Sequence, residues 1–113
     1  MLTYEQQEMI INVLSPWKPV KIGVFGSFAR GEQREDSDID LLYDFSEPCG
    51  FAFSQVIDDL EERLQKKVDL INFNHINPYL KEDILKDLII FYDKSQERRS
   101  RRDFLLSHSG SNR

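Results

Sequence analysis

Hydrophobic residues recur along the chain with two different periods. In two stretches they lie three or four positions apart, which is the spacing of an amphipathic helix. These residues are Met9, Ile10, Val13 and Leu14 in the first stretch, and Phe53, Val56, Ile57, Leu60 and Leu64 in the second. Shorter apolar stretches at residues 20–25, 39–45 and 68–73 have the length and composition of strands. The pattern therefore predicts helices that alternate with strands.

Polar residues and prolines mark where the predicted elements begin. Thr3 and Gln6 form a capping-box pattern ahead of the first helix. Asn77 followed by Pro78 predicts the start of a last helix. Residues 88–92 leave two interpretations open, the end of that helix or a short fourth strand. Together these elements predict a small α/β or α+β domain, in which a mixed sheet of three or four strands is flanked by helices.

Length and charge limit the classes of protein to which the chain can belong. Its 113 residues suffice for one compact domain, which we place at residues 1–94. These residues carry 10 basic and 18 acidic groups, a net charge of −8, whereas residues 95–113 carry 5 and 2, a net charge of +3. A domain with this negative charge repels the phosphate backbone of nucleic acid, which is therefore an unfavourable partner. The basic segment 95–113 indicates a flexible tail, or a contact with an acidic partner or RNA.

Nothing in the sequence predicts a membrane segment or a disulfide. The longest apolar run spans residues 88–92, and a membrane-spanning helix needs about 20 residues. The N-terminus lacks the basic start and apolar stretch of a signal peptide. Cys49 is the only cysteine, which excludes an intramolecular disulfide and a cysteine-based zinc site. We therefore expect a cytoplasmic protein.

Gly26 and Ser27 follow the first predicted strand and open a short helical turn that ends by Gly31. Glycine lets the backbone approach a ligand closely, and backbone N–H groups with a serine hydroxyl suit a phosphate. By themselves, these residues are more typical of an ordinary turn. Arg30 in the same turn is a candidate phosphate ligand, because guanidinium matches phosphate oxygens in a fork. The sequence equally allows Arg30 to be an ordinary solvent-exposed residue of the turn.

Asp38 and Asp40 stand at the start of the second predicted strand. Alternate residues of a strand share a face, so the two carboxylates point the same way, roughly 7 Å apart along the strand. Two like charges on one face repel each other unless a cation or solvent relieves them. The pair therefore predicts either a metal site or a solvated strand end.

Asp69 is a lone acid within the third predicted strand. A buried, unpaired carboxylate costs on the order of several kcal/mol, so this residue needs a partner. One candidate partner is the ammonium group of Lys66 or Lys67, in a purely structural ion pair. The other is a metal ion that Asp69 shares with Asp38 and Asp40. Three hard oxygen donors at one edge of the sheet suit Mg²⁺ or Mn²⁺.

Taken together, these residues resemble the signature of the polymerase-beta-like nucleotidyltransferases, and of their minimal nucleotidyltransferase (MNT) branch in particular. The motif consists of Gly26-Ser27, ten intervening residues and Asp38-x-Asp40. Asp69 stands where the family has its third carboxylate. The resemblance covers residues 5–93, and the combined motif is specific although no single part of it is.

The resemblance implies an enzyme that uses ATP and Mg²⁺, with two ions. In the family's pattern the catalytic and metal-binding residues are Asp38, Asp40 and Asp69, and the nucleotide-binding residues are Gly26, Ser27 and Arg30. An acceptor hydroxyl would attack the α-phosphorus in line, and pyrophosphate would leave. Asp69 is also a candidate general base for that hydroxyl.

A domain of this size has no room for a separate acceptor-binding domain. In the resembled family the companion is a helical HEPN toxin with RNase activity, and the MNT protein is the antitoxin that transfers AMP to a tyrosine of the toxin. The resemblance therefore implies AMPylation of a HEPN-type toxin within a hetero-oligomer. Two alternatives stay open: an antitoxin that acts by contact alone, and a nucleotidyltransferase that acts on RNA or a small molecule.

Overall fold

A mixed four-stranded sheet lies at the centre of the fold. The computed structural model describes residues 1–46 and 50–94. The helices are α1 (Tyr4–Leu14), α2 (Ser27–Arg30), α3 (Phe53–Leu64) and α4 (Pro78–Asp87). The strands are β1 (Pro19–Phe25), β2 (Ile39–Phe45), β3 (Val68–Asn72) and β4 (Ile89–Asp93). Short 3₁₀ turns occupy Ser15–Trp17, Gly50–Ala52 and Phe73–His75.

The strand order is β3-β2-β1-β4. β1 pairs antiparallel with both β2 and β4, and β2 pairs parallel with β3. The parallel pair needs a crossover, which α3 supplies. The expected α+β domain with a mixed sheet is confirmed. Of the two interpretations of residues 88–92, the fourth strand is the correct one, because the chain becomes extended at Leu88 and continues as β4.

The hydrophobic core lies between one face of the sheet and the helices α1 and α3. Both predicted helical stripes supply it, and the sheet contributes alternate residues of its strands. Its members include Ile10 and Leu14 of α1, Val56, Leu60 and Leu64 of α3, and Ile22, Val24, Ile39, Leu41, Val68 and Leu70 of the sheet. Residues between these positions, Asp40 among them, therefore lie on the opposite face of the sheet.

The predicted helix starts are confirmed. The Thr3 hydroxyl accepts a hydrogen bond from the Gln6 backbone N–H at 3.1 Å, and the Gln6 side chain accepts one from the Thr3 N–H at 2.9 Å. The Asn77 side chain accepts from the Tyr79 N–H at 2.9 Å, with Pro78 at the first helical position. These caps satisfy backbone donors that the helices leave without a partner.

The third strand ends one residue earlier than the pattern predicts. The Asn72 side chain accepts a hydrogen bond from the Asn74 N–H at 2.8 Å, which turns the chain, so Phe73 begins a 3₁₀ turn. Cys49 and the segment 95–113 lie outside the described residues. Within the described part of the chain, no helix is both long and apolar enough to span a membrane.

Candidate active site

Gly26 connects the end of β1 to α2 with a backbone conformation that other residues rarely adopt. Its φ is 74° and its ψ is −150°, a region that is essentially restricted to glycine. A Cβ atom at this position would collide with Oδ2 of Asp40. The turn is closed by two backbone hydrogen bonds, from the Arg30 N–H to Gly26 at 3.1 Å and from the Glu32 N–H to Ser27 at 2.9 Å. Gly26 thus brings the backbone directly against the Asp40 carboxylate.

Asp40 lies at the centre of the site because of the strand register. It pairs with Phe25 at the end of β1 on one side and with Asp69 of β3 on the other. Neighbouring strands lie about 4.8 Å apart, and residues in register share a face. The sheet therefore brings the Gly26 turn, Asp40 and Asp69 together on the face opposite the core.

The Asp40 carboxylate is half-buried. Burial, followed by the neighbouring charges of Asp69 and Asp38, raises the pKa of Asp40 from 3.8 to about 6, although the charge of Arg30 acts to lower it. The ionised carboxylate is thus disfavoured by its surroundings. A bound cation would remove that penalty, because it favours the charged form.

Asp38 is exposed and directly precedes β2, on a loop that is held in place at several points. The Ser37 hydroxyl accepts a hydrogen bond from the Arg34 N–H at 2.7 Å. The Lys66 ammonium donates to the Glu35 carbonyl at 2.6 Å. The Ile39 N–H donates to the Lys67 carbonyl at 2.8 Å, which fixes the start of the strand. These contacts hold Asp38 close enough to Asp40 to raise its pKa.

The expectation that Asp69 is buried is wrong, because this side chain is exposed. β3 is an edge strand, and Asp69 lies on the face away from the core. Neither predicted lysine partner forms an ion pair with it among the described residues. Lys66 instead binds the Glu35 carbonyl and lies over the Phe28 ring, 5.9 Å from its centroid. Exposure removes the need for a structural partner and leaves Asp69 accessible from solvent.

Arg30 forms two ion pairs. Its Nε donates to Glu32 at 2.9 Å, and its Nη1 donates to Asp87 at 2.7 Å. The contact with Asp87 could not be read from the sequence, since that residue lies 57 positions away at the end of α4. The anchoring of the Asp38 loop by Lys66 carries no sequence signal for the same reason. The role of Arg30 as a phosphate ligand stays a prediction.

The donor set suits a hard divalent cation, since all three candidate ligands are carboxylates. Asp40 and Asp69 are adjacent in register, and Asp38 lies two residues before Asp40. Among the described residues, no group of three side chains that commonly bind metals is arranged to hold an ion. The three residues therefore match such a cation in the chemistry of their donors, although the structure does not arrange them around one.

Two concavities open on the surface of the described residues. One, of about 480 Å³, adjoins Asp38 and is lined by loop residues together with Gln65, Lys66 and Lys67. The other, of about 670 Å³, lies between the end of α1 and α3, next to Trp17 and Val56. None of the three carboxylates lines the larger one. Of the six predicted site residues, Asp38 alone lines the smaller one. The candidate site therefore lies on the open face of the sheet rather than within either concavity.

Comparison with known protein families identifies the family to which this fold belongs. The family model for polymerase beta nucleotidyltransferases matches residues 8–97. The chain belongs to this family. The expected nucleotidyltransferase family and fold are thereby confirmed, and the chain is a member of a family of enzymes.

Relatives of this nucleotidyltransferase cover most of its length. The protein adenylyltransferase MntA of Thermococcus cleftensis is 35% identical over 95 residues, which are 79% of this chain and 96% of that protein. A Methanocaldococcus jannaschii protein, provisionally named a protein adenylyltransferase, is 47% identical over 77 residues, which are 65% of this chain and 77% of its own.

Solved structures of toxin–antitoxin complexes contain chains of the same fold. One, determined with AMP-PNP, aligns with a TM-score of 0.69 at 21% identity and 90% coverage of both chains. Another, described as a tri-AMPylated Shewanella oneidensis HEPN toxin in complex with an MNT antitoxin, aligns with a TM-score of 0.63 at 18% identity, covering 92% of this chain and 89% of that one. At such identities the likeness establishes the fold.

Proposed function

We propose that this nucleotidyltransferase transfers AMP from ATP to a hydroxyl of a protein partner, and that the partner is a HEPN-type toxin which the modification neutralises. The observation that carries the proposal is the register of Asp40 and Asp69 beside the Gly26 turn. A relative named as a protein adenylyltransferase supports the reaction, and a solved complex of an AMPylated HEPN toxin with an MNT antitoxin supports the partner. Because the reaction consumes ATP, we place it in the cytoplasm.

Mg²⁺ is the cation that we assign to the carboxylates. Asp38 and Asp40 would hold the ion that accompanies the triphosphate, and Asp69 would share a second ion with them. Bound there, Mg²⁺ supplies neutralisation of phosphate charge and a lower pKa for the acceptor hydroxyl. The raised pKa of Asp40 supports this assignment. Burial and the neighbouring carboxylates disfavour its ionised form, and a bound cation would offset that effect.

Gly26, Ser27 and Arg30 form the nucleotide side of the proposed site. Gly26 lets the backbone approach the phosphates without a side chain in the way. The Ser27 hydroxyl has no hydrogen-bond partner among the described residues, so it is available to a phosphate oxygen. Arg30 supplies the positive charge of the turn. These residues bind and orient the triphosphate, and positioning of this kind provides most of the rate enhancement in phosphoryl transfer.

Asp69 forms the acceptor side. The incoming hydroxyl oxygen forms a bond to the α-phosphorus while the bond from that phosphorus to the β-bridging oxygen breaks, and pyrophosphate leaves. The hydroxyl proton passes to the Asp69 carboxylate or to solvent. Because Asp69 is exposed on an edge strand, a hydroxyl on the surface of another protein can reach it. The open site and the acidic domain favour a protein acceptor over RNA or a small molecule.

Label transfer tests this proposal. The full-length protein is incubated with Mg²⁺, host lysate and either α-labelled or γ-labelled ATP, next to Asp40→Asn. We expect one labelled protein band with α-labelled ATP alone, and no band with the variant. Label on RNA would replace the protein acceptor by a nucleic acid. Label from γ-labelled ATP would indicate phosphorylation and contradict the proposed reaction.

A further inference from the structure

Two carboxylates from different parts of the chain hold the Arg30 side chain. Glu32 lies two positions away, and Asp87 is the last residue of α4. The Asp87 side chain is 21% exposed and accepts at 2.7 Å, whereas that of Glu32 is 66% exposed and accepts at 2.9 Å. Well-exposed ion pairs contribute little, since solvent screens them. The contact with Asp87 is therefore the one that we expect to fix the guanidinium.

Arg30 belongs to the same short turn as Gly26, whose backbone lies directly against the Asp40 carboxylate. Arg30 also ends the short helix that the Gly26 turn opens, and its own N–H closes that turn. Arg30 is thus part of the turn whose backbone we assign to the phosphates.

Arg30 keeps donors for a ligand although it is paired twice. A guanidinium carries five N–H donors. Among the described residues, one on Nε is used by Glu32 and one on Nη1 by Asp87. Three remain, including both on Nη2. A guanidinium held by two carboxylates and still carrying free donors is suited to receive an anion in a fixed geometry.

We propose that Asp87 is a positioning residue, which holds the Arg30 guanidinium in the orientation that receives the triphosphate of the nucleotide. The proposal deepens the proposed function and rests on its assignment of Arg30 to the phosphates. An unrestrained arginine loses side-chain entropy when it binds a ligand, and a side chain that is already fixed loses less. Asp87 would have the opposite role if it competed with the phosphates for the Arg30 guanidinium. In that case its removal would strengthen nucleotide binding.

Calorimetric titration of the full-length protein with AMP-PNP and Mg²⁺ separates these roles, because it needs no acceptor. We expect Asp87→Asn to raise the Kd about tenfold, which corresponds to about 1.4 kcal/mol. Asp87→Glu is expected to restore most of the affinity, since it returns the charge. The matched control is Asp59→Asn, which removes the same charge and breaks an exposed ion pair with Arg63 on α3. Its Kd is expected to equal that of the wild type.

A double-mutant cycle with Arg30→Gln excludes a merely structural effect. If Asp87 acts through Arg30, then Asp87→Asn has no further effect on the Kd once Arg30 is replaced. An equal loss in both backgrounds would overturn the positioning role, as would a tighter Kd for Asp87→Asn alone. If the wild type binds AMP-PNP and the Asp87→Asn Kd is unchanged, the positioning role alone is wrong. If the wild type does not bind AMP-PNP, the proposed function fails first.

Discussion

Asp40 and Asp69 occupy the same register position on two adjacent parallel strands. Their environments differ, because Asp40 is half-buried beneath the Gly26 turn and Asp69 is exposed on the edge strand. Under the proposed function, the Asp40 carboxylate lies on the nucleotide side of the site, and the Asp69 carboxylate lies on the solvent side, from which the acceptor arrives. This division of one donor pair between two substrates underlies each prediction about the site.

Gly26→Ala is predicted to abolish AMP transfer. The substituted residue is strained at φ 74° and ψ −150°, and its Cβ collides with the Asp40 carboxylate. Strain of this kind costs about 1–3 kcal/mol, so the free energy of unfolding should fall by about that amount. Label-transfer assays and chemical denaturation of the purified variant check both effects.

Gly31→Ala is the matched control for this variant. Gly31 also has a positive φ, 73°, but nothing lies within 4 Å of a Cβ built there. We expect it to lower the free energy of unfolding by about 1–2 kcal/mol and to leave AMP transfer within twofold of the wild type. Equal activity of the two variants would contradict the assigned role of the Gly26 turn.

Asp40→Asn is predicted to stabilise the protein at neutral pH when Mg²⁺ is absent. The pKa of Asp40 is about 6 in the folded protein, above its ordinary value of 3.8, so the folded state binds the proton more tightly than the unfolded state does. The associated stability is present below about pH 4 and is lost as the pH rises through about 6. For a half-buried group, we expect a gain of about 1–2 kcal/mol for the variant at pH 7.5.

Thermal unfolding at pH 4 and pH 7.5, in EDTA and in Mg²⁺, checks this prediction. The variant should exceed the wild type in melting temperature only at pH 7.5 in EDTA. Mg²⁺ should raise the melting temperature of the wild type more than that of the variant, because it binds the folded wild type better. A variant that is less stable than the wild type at pH 7.5 in EDTA would show that Asp40 is not penalised in the fold.

Lys66→Met is predicted to weaken catalysis with little effect on stability. The Lys66 ammonium holds the Glu35 carbonyl at 2.6 Å and so anchors the loop that carries Asp38. Loss of this contact leaves Asp38 less well fixed, and small displacements of a catalytic group cost rate. We expect kcat/KM for AMP transfer to fall about tenfold. Lys67→Met removes the same charge from the neighbouring exposed residue. It should lower kcat/KM by less than half of the factor expected for Lys66→Met.

Leu60→Ala tests the packing of α3 against the sheet. The Leu60 side chain is fully buried in the core. Its truncation is expected to lower the free energy of unfolding by about 2–5 kcal/mol. The comparison is Leu80→Ala on α4, where the side chain is 51% exposed, and the expected change is within about 0.5 kcal/mol. Urea denaturation of both variants gives the two values.

Local patterns predicted most of the fold. The helical stripes, the two helix caps and the main strands depend on residues close in sequence, and the structure confirms them with shifts of one residue at strand ends. The strand order β3-β2-β1-β4 was not predicted, since the pairing and register of strands depend on contacts that no local pattern records.

The candidate site was predicted in part. Gly26, Asp40 and Asp69 do come together, and the reason is the register of three strands. The prediction that Asp69 is buried was wrong, because an apolar strand pattern does not reveal whether a strand lies in the centre or at the edge of a sheet. Asp87 was missed because its partner Arg30 is distant in sequence.

Intact-mass spectrometry of the proposed HEPN-type partner toxin tests the central claim most directly. The toxin is co-expressed with the wild-type chain or with Asp40→Asn, purified and weighed. The account predicts mass increments of whole AMP groups with the wild type and an unmodified toxin with the variant. An unmodified toxin in both cases, with its toxicity still neutralised, would contradict the claim and leave an antitoxin that acts by contact alone.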